Sequence, residues 1–206
     1  HFCHMFIQQL YTNCLSEAAY FIESNGEAAV IDPLRDTQQY LEMAREKKAK
    51  IKYIFETHFH ADFVSGHIDL ANETGATIIY GPGAVTNYKT YNAQDGEIFT
   101  LGHITIQALH TPGHTLESCC YLLKDEKGKD HALFTGDTLF VGDVGRPDLS
   151  SGNMSSKELA AILYHTLQTK ILPLANDIIV YPAHGPGSSC GKNLGPNTIS
   201  SIGDEK

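Results

Sequence analysis

Apolar residues recur along this chain in short runs, most of them with the length of a buried strand. Residues 51–55 form such a run, which ends two residues before Thr57, and a short apolar stretch that stops at a turn is typical of a strand in a covered sheet. Residues 18–22 and 28–32 flank Asn25-Gly26, a dipeptide that favours a tight hairpin. Further strands are expected at 76–80, 104–106, 119–123 and 178–181.

Between the strands, the apolar spacing lengthens to that of a helix. Residues 36–48 carry an amphipathic pattern, and Asp36 can cap its start. A short helix is expected at 66–73. Ser155 and Glu158 form a capping-box signature before a third apolar face. Helices interleaved with strands predict an α+β protein with two sheets packed together and helices outside.

Composition narrows the possible function classes. The chain has 206 residues, enough for one domain with an ample core, and a net charge of −9 that gives nucleic acid no basic face. No apolar run approaches the roughly 20 residues needed to cross a bilayer. The five cysteines have neither the density nor the even count of a disulfide framework. We therefore expect reduced thiols and a cytoplasmic location, with no nucleic-acid or membrane partner.

The two ends of the sequence bear on its domain organisation. Residues 1–4 precede Met5 and resemble a cloning remnant. Residues 5–206 are then expected to form a single domain. The chain stops at Lys206 without a closing element, which favours a domain cut from a longer protein.

The segment 57–62 carries the strongest chemical signal, because His58, His60 and Asp62 alternate where a strand stops. Alternate residues of an extended segment point the same way, so the three side chains are expected to converge on one point. Imidazole and carboxylate suit zinc, iron and manganese. The triplet therefore predicts a metal site at the edge of the sheet.

Three further candidate ligands follow strand-like runs, each beside a glycine. They are His114, Asp137 and His184. Glycine lets the backbone turn sharply beside each of them. Of the other histidines, His4, His103, His131 and His165 are interpreted as surface or core residues, and His67 and His110 are left open.

The ordered motifs THxHxD, TPGHT, TGDT and PAHG resemble those of the metallo-β-lactamase superfamily. The resemblance implies an αββα sandwich of two mixed sheets with helices outside. The usual motif of that family is HxHxDH, and this chain has Phe63 where the final histidine stands. A phenyl ring cannot bind a metal, so the departure favours one metal ion over two.

Residues 140–148 and 184–192 resemble the persulfide dioxygenases, especially the bacterial forms fused to rhodanese domains. This narrower resemblance implies one Fe(II) per chain, held by His58, His114 and Asp137. Zinc or nickel can replace the iron in a crystal, since both bind more tightly. His60, Asp62 and His184 are then expected to orient ligands and water. The resemblance also implies a longer chain, a rhodanese partner and a homo-oligomer.

The resulting hypothesis is a mononuclear non-haem Fe(II) persulfide dioxygenase. It would oxidise a glutathione or coenzyme A persulfide with O2 to sulfite and thiol. Arg146 is a candidate for gripping a substrate carboxylate, and a structural salt bridge with Asp143 or Asp148 is the alternative. Cys190 is a candidate sulfur-transfer thiol, and an inert surface thiol is the alternative.

Two other functions are compatible with the superfamily motifs. A glyoxalase II-like metal-dependent thioester hydrolase shares the superfamily, and Phe63 counts against it. A persulfide sensor or scaffold without catalysis is the other, and the complete set of His58, His114 and Asp137 counts against that.

Overall fold

Two six-stranded mixed sheets face each other in the computed structural model, which describes residues 5–148, 154–190, 194 and 196–206. The first sheet contains β1 to β6 in chain order, and the second has the order β12-β11-β10-β9-β8-β7. The strands of the first sheet are β1 Phe6–Thr12, β2 Glu17–Ser24, β3 Glu27–Ile31, β4 Lys50–Phe55, β5 Thr77–Tyr80 and β6 Tyr91–Asn92. Those of the second are β7 Ile98–Leu101, β8 Ile104–His110, β9 Cys119–Lys124, β10 Asp130–Gly136, β11 Ile179–Pro182 and β12 Ser200–Ser201.

Helices cover the outer faces of the sheets. They are α1 Gln38–Lys47, α2 His67–Thr74 and α3 Ser156–Thr166, and a π-helical turn Leu167–Ile171 continues α3. The predicted capping box at the start of α3 is present, since Ser155 accepts from the Glu158 amide and Glu158 accepts from the Ser155 amide. The αββα sandwich expected from the sequence is confirmed.

Helix α1 starts two residues later than the sequence pattern predicts. Thr37 takes the N-cap position, but its side chain does not cap the helix, and Asp36 accepts from the Gln38 amide at 3.2 Å. The hairpin around Asn25-Gly26 is confirmed, with both residues at positive φ. Among the described residues, no helix is both long and apolar enough to cross a membrane.

The core lies between the sheets, and strand alternation separates it from the outer layers. Tyr20 belongs to the central cluster and Phe21 to the cluster beneath α1 and α2, as the two-residue period of a strand requires. Aromatic pairs join the two sheets: Tyr20 lies 5.0 Å from Phe134, and Phe55 lies 4.6 Å from Tyr121, between ring centroids. Such pairs add about 0.5–1.5 kcal/mol each beyond their buried area.

The end of β10 packs tightly against the segment that follows β4. Gly136 has a φ of +53°, and a Cβ built there would lie 2.5 Å from Thr57 Oγ1. Because Thr57 precedes His58 and Gly136 precedes Asp137, this contact sets the distance between the two sheets beside the candidate ligands.

Replacement of Gly136 by alanine tests this contact. Gly136→Ala should lower the free energy of unfolding by more than about 3 kcal/mol, because positive-φ strain and overpacking add. Gly128→Ala is the matched control, since Gly128 has a φ of +76° but open space around its Cβ, and it should lose only about 1–2 kcal/mol. Equal losses in urea unfolding of the two variants would show that the contact contributes nothing.

Candidate metal centre

The donor atoms of three buried side chains meet beside the ends of β4, β8 and β10. His58, His114 and Asp137 place their ligand atoms within 4.8 Å of one another. Asp137 Oδ2 lies 3.9 Å from His58 Nε2 and 3.5 Å from His114 Nε2, and it has no hydrogen-bond partner. A buried carboxylate oxygen is rarely left without a partner. A metal ion between the three residues would satisfy it, so the residues present fit a metal.

Hydrogen bonds behind the two imidazoles leave both Nε2 lone pairs facing the cluster. The Arg146 carbonyl lies 2.9 Å from His114 Nδ1, and a carbonyl can only accept, so Nδ1 carries the proton. Thr57 Oγ1 donates to Asp32 Oδ2 at 2.7 Å and lies 3.0 Å from His58 Nδ1, so it accepts from that nitrogen. These tautomers, assigned from the hydrogen-bond network, are those that metal-binding histidines adopt.

The electrostatics keep the donors in their ligand forms. Burial and the neighbouring His60 charge lower the pKa of His58 to about 3, so its imidazole is neutral at neutral pH. Burial alone would raise the pKa of the Asp137 carboxyl, but the charge and the hydrogen bond of His184 outweigh it and hold that pKa well below its usual value. A neutral imidazole and an ionised carboxylate are the forms that bind metals.

A second cluster adjoins the first through His184. Its Nδ1 lies 2.7 Å from Asp137 Oδ1, and its Nε2 faces Asp62 Oδ2 at 2.7 Å. Burial alone would lower the pKa of His184, but the nearby Asp137 and Asp62 carboxylates have the larger effect and raise that pKa to about 11. Cys190 Sγ lies 3.9 Å from the same Asp62 oxygen. The structure therefore brings Asp62, His184 and Cys190 together.

The expected convergence of His58, His60 and Asp62 on one point is wrong, because the three residues belong to three different donor clusters, although the His60 ring lies 4.2 Å from the His58 ring between centroids. Strand β4 ends at Phe55 and the chain bends after it, so residues 58–62 lack the extended geometry that the expectation requires. The His60 ring contacts Phe63 at 4.4 Å between centroids, and its Nε2 lies 3.0 Å from Asp32 Oδ1.

His60 belongs to a third, acidic cluster that the sequence reading missed. Asp32, Glu56 and His60 hold their ligand atoms within 4.8 Å, and the buried Glu17 carboxyl has no hydrogen-bond partner. Burial and the Asp32 charge raise the pKa of Glu17 to about 9, and burial raises that of Glu56 to about 8. Asp32 ends a strand-like run just as Asp137 does, and that signal could have identified it.

Arg146 and Cys190 lie on two loops that meet at the edge of the site. The Arg146 guanidinium donates twice to Asp148, at 3.0 and 2.8 Å, and the Arg146 amide donates to the Cys190 carbonyl at 3.3 Å. Burial raises the pKa of the Cys190 thiol, whereas reactive thiols have lowered values. Substrate binding by Arg146 and sulfur transfer by Cys190 stay predictions.

The two histidines left open by the sequence, His67 and His110, lie outside the donor clusters. His67 Nε2 contacts the Tyr88 hydroxyl at 2.9 Å, and His110 Nε2 contacts the Leu116 carbonyl at 2.8 Å. Neither joins the three clusters of potential ligands found among the described residues. His4 and the Gly191-Lys192 part of the 184–192 motif lie outside the described residues.

Comparison with known proteins gives a family and a set of relatives. Residues 12–184 match the family model described as the Metallo-beta-lactamase superfamily. The probable hydroxyacylglutathione hydrolase glo2 of Schizosaccharomyces pombe is 34% identical over 76% of this chain and 58% of its own length. The cytoplasmic hydroxyacylglutathione hydrolase of Arabidopsis thaliana is 39% identical over 60% of this chain and 48% of its own length. The chain thus spans about half the length of these curated relatives.

Solved structures show the same fold. A metallo-beta-lactamase from Staphylococcus aureus subsp. aureus COL has a TM-score of 0.89 and 39% identity, over 98% of this chain and 61% of that chain. ETHE1 from Myxococcus xanthus has a TM-score of 0.82 and 29% identity, over 98% of this chain and 81% of that chain.

These comparisons overturn the expectation of a persulfide dioxygenase. Relatives that are 28–39% identical over 60–85% of the chain carry the name hydroxyacylglutathione hydrolase, which favours the hydrolase alternative. The physical reason is that two histidines and a carboxylate serve hydrolytic zinc as well as oxygenase iron. Phe63 removes a potential donor but leaves the reaction undetermined. The metal-binding character of the protein is supported, whereas the identity and number of its metals are not given by the donor set.

Matched asparagine variants test the assignment of ligands. His58→Asn should abolish metal retention, whereas His60→Asn should weaken it by no more than the about 10–100-fold effect of residues behind the ligands. The measurement is metal content after dialysis against a graded series of chelator concentrations. Equal loss in both variants would make His60 a ligand and contradict the three-residue assignment.

The raised pKa of Glu17 predicts a pH-dependent stability. A carboxyl with a usual pKa of 4.5 that titrates near 9 when folded stabilises the fold in full below about pH 4.5. This contribution is lost as the pH rises towards 9, at about 1.4 kcal/mol per pH unit. Metal-free Glu17→Gln should therefore gain stability relative to the wild type by up to that slope between about pH 6 and pH 8.

Urea unfolding at several pH values checks the Glu17 prediction. Glu46→Gln, on the exposed face of α1, should follow the wild type. A constant difference between Glu17→Gln and the wild type across the range would show that Glu17 ionises normally.

Proposed function

Because the chain belongs to the metallo-β-lactamase superfamily, we propose that it is a metal-dependent hydrolase that cleaves thioesters of glutathione or a similar thiol. The observation that carries the proposal is the buried Asp137 Oδ2, which lacks a hydrogen-bond partner and faces two imidazole nitrogens. Glutathione is proposed as the thiol of the substrate because the relatives are called hydroxyacylglutathione hydrolases.

His58, His114 and Asp137 would hold the metal ion. Three protein donors with an open position are the pattern of catalytic zinc sites, and two histidines with one carboxylate also suit ferrous iron. Either metal supplies the same chemistry when bound: it lowers the pKa of a coordinated water and polarises a carbonyl oxygen. We therefore expect hydrolysis with zinc or ferrous iron in this cluster.

The surrounding residues hold these donors in position before substrate arrives. Asp32 fixes Thr57 through two hydrogen bonds, of 2.8 Å from the amide and 2.7 Å from the hydroxyl. Thr57 in turn fixes the His58 ring. His184 holds Asp137 Oδ1, so that Oδ2 is the oxygen directed at the cluster. Such outer partners orient ligands and raise their basicity.

Asp62 is the carboxylate of the site that reaches solvent, with 36% of its side chain exposed. Burial raises its pKa, but the adjacent His184 imidazole, whose Nε2 lies 2.7 Å from Asp62 Oδ2, outweighs burial and lowers it. Asp62 is therefore ionised at neutral pH and can accept a hydrogen bond from the attacking water. Hydrolysis joins the water oxygen to the carbonyl carbon and breaks the carbon–sulfur bond. The water proton leaves on the thiol sulfur.

Arg146 is the candidate for substrate recognition. Glutathione carries carboxylates, and a planar guanidinium binds a carboxylate through two parallel hydrogen bonds. The Arg146 guanidinium is partly exposed and already binds the Asp148 carboxylate in this way. A substrate carboxylate would therefore displace Asp148 or bind the guanidinium together with it. A rhodanese partner and a homo-oligomer stay predictions.

Thioester cleavage tests the proposed function. Metal-free protein loaded anaerobically with zinc or ferrous iron should release thiol from an acyl-glutathione thioester. Asp137→Asn should lower kcat/KM by more than the about 100-fold effect of an outer partner, because it removes a ligand. Asp177→Asn, whose carboxylate forms an exposed pair with Lys129, is the matched control and should stay active.

Two outcomes would contradict the proposal. One is dioxygen uptake with sulfite release from a glutathione persulfide and no thioester cleavage. The other is thioester cleavage that survives both metal removal and Asp137→Asn.

A further inference from the structure

Three donors of different chemistry converge beside the proposed catalytic cluster. Asp62 comes from one loop and His184 and Cys190 from another, and their ligand atoms all lie within 4.8 Å of one another. Cys190 Sγ and His184 Nε2 approach the same oxygen, Asp62 Oδ2, at 3.9 and 2.7 Å. Asp62 and Cys190 are 128 residues apart in sequence, so this convergence is a product of the fold.

His184 is oriented as a ligand of this second cluster. Its Nδ1 donates to Asp137, which directs Nε2 towards Asp62 and Cys190. His184 is 1% exposed, and its Nε2 has no hydrogen-bond partner. The Asp62 oxygen lies 2.7 Å from that nitrogen as an ion pair and forms no hydrogen bond with it. A buried nitrogen without a hydrogen-bond partner, aimed between a thiol and a carboxylate, is placed to bind a cation that displaces its proton.

The donor chemistry is that of zinc. Thiolate, imidazole and carboxylate each bind Zn²⁺, at about 2.3, 2.0 and 2.1 Å, so neighbouring donors of a tetrahedral site lie about 3.3–3.7 Å apart. The sulfur-to-oxygen distance of 3.9 Å is near that range. The nitrogen-to-oxygen distance of 2.7 Å has to open by about half an ångström, which the exposed Asp62 side chain can provide by rotating.

We propose that Asp62, His184 and Cys190 form a second metal site, for zinc or a similar divalent ion, in which the Cys190 thiolate takes the place of the donor that Phe63 lacks. The expectation of a single metal rested on Phe63 and on the resemblance to the persulfide dioxygenases. Phe63 instead packs on His60, and the third donor comes from a loop six residues after His184. The ring of His184 links the two sites, because Asp137 holds one of its nitrogens and the second ion would take the other.

The inference is independent of the proposed reaction, since the donors define the site whatever the chain cleaves. Its consequence for that reaction is specific. With an ion on Oδ2, Asp62 has one carboxylate oxygen left for the attacking water, and the second ion lies one imidazole ring away from Asp137.

Cobalt(II) is the probe for this site, because a thiolate bound to cobalt gives a charge-transfer absorption in the near ultraviolet that nitrogen and oxygen donors do not. Titration of metal-free wild type should reach two cobalt ions per chain, with this band developing for one of them. Cys190→Ser should lose the band and bind one ion fewer. Cys14→Ser is the matched control, since Cys14 is exposed and belongs to none of the clusters, and it should keep both.

A second variant keeps the test decisive if Cys190→Ser fails to fold. Asp62→Asn leaves the thiol in place, changes a side chain at the surface, and should move the midpoint of the band to at least 10-fold higher cobalt concentration. Wild type that binds one ion without a thiolate band would overturn the proposal. So would a band that persists in Cys190→Ser, or one that is unmoved in Asp62→Asn. Because band and metal count are read without substrate, failed thioester hydrolysis leaves this result unaffected.

Discussion

The contact between Gly136 and Thr57 is the constraint on which the site depends. A side chain at position 136 would collide with Thr57, so the end of β10 can approach the end of β4 only because Gly136 has no Cβ. The residues that follow, Asp137 and His58, are the ones that must meet. The same Thr57 hydroxyl that packs on Gly136 joins Asp32 to His58. One close approach between the sheets therefore sets both the distance between two donors and the tautomer of one of them.

Buried charge is the second feature of the site. Asp32, Glu56 and Asp137 are almost fully buried, and burying an unpaired carboxylate is costly. Each lies beside a histidine, so the cost is reduced by pairing, and the protonated forms of Glu17 and Glu56 reduce it further. A bound cation would neutralise the same charges. The free-energy cost of burying these carboxylates and the affinity of the site for a metal ion thus have the same electrostatic origin.

The reaction of this protein is inferred from all the donors of the site and from the homologous proteins, because a single motif position does not determine it. Phe63 differs from the superfamily motif, and that difference, together with the resemblance of residues 140–148 and 184–192 to persulfide dioxygenases, suggested an oxygenase. The donors present around it permit hydrolysis, and the curated relatives carry hydrolase names. Cys190 adds a donor that the motif does not contain. One superfamily fold can host different chemistries, because small changes in donors leave the sandwich unaltered.

The local structure and the candidate donors are predictable from the order of the residues alone. The Asn25-Gly26 turn, the capping box at Ser155 and the short apolar strands are read from neighbouring residues, since turns, caps and strand periodicity are local properties. His58 and Asp137 were found because each stands directly after a strand.

The tertiary structure decided which of these residues meet. After the bend that follows β4, His60 Nε2 faces Asp32 although the His60 ring lies against that of His58, and no local pattern predicts that direction. The pairing of Asp62 with Cys190 depends on two loops brought together by the packing of two sheets. Because side-chain orientation after a bend and contacts between distant loops are set by packing of the whole chain, the division of the donors into three clusters belongs to the fold alone.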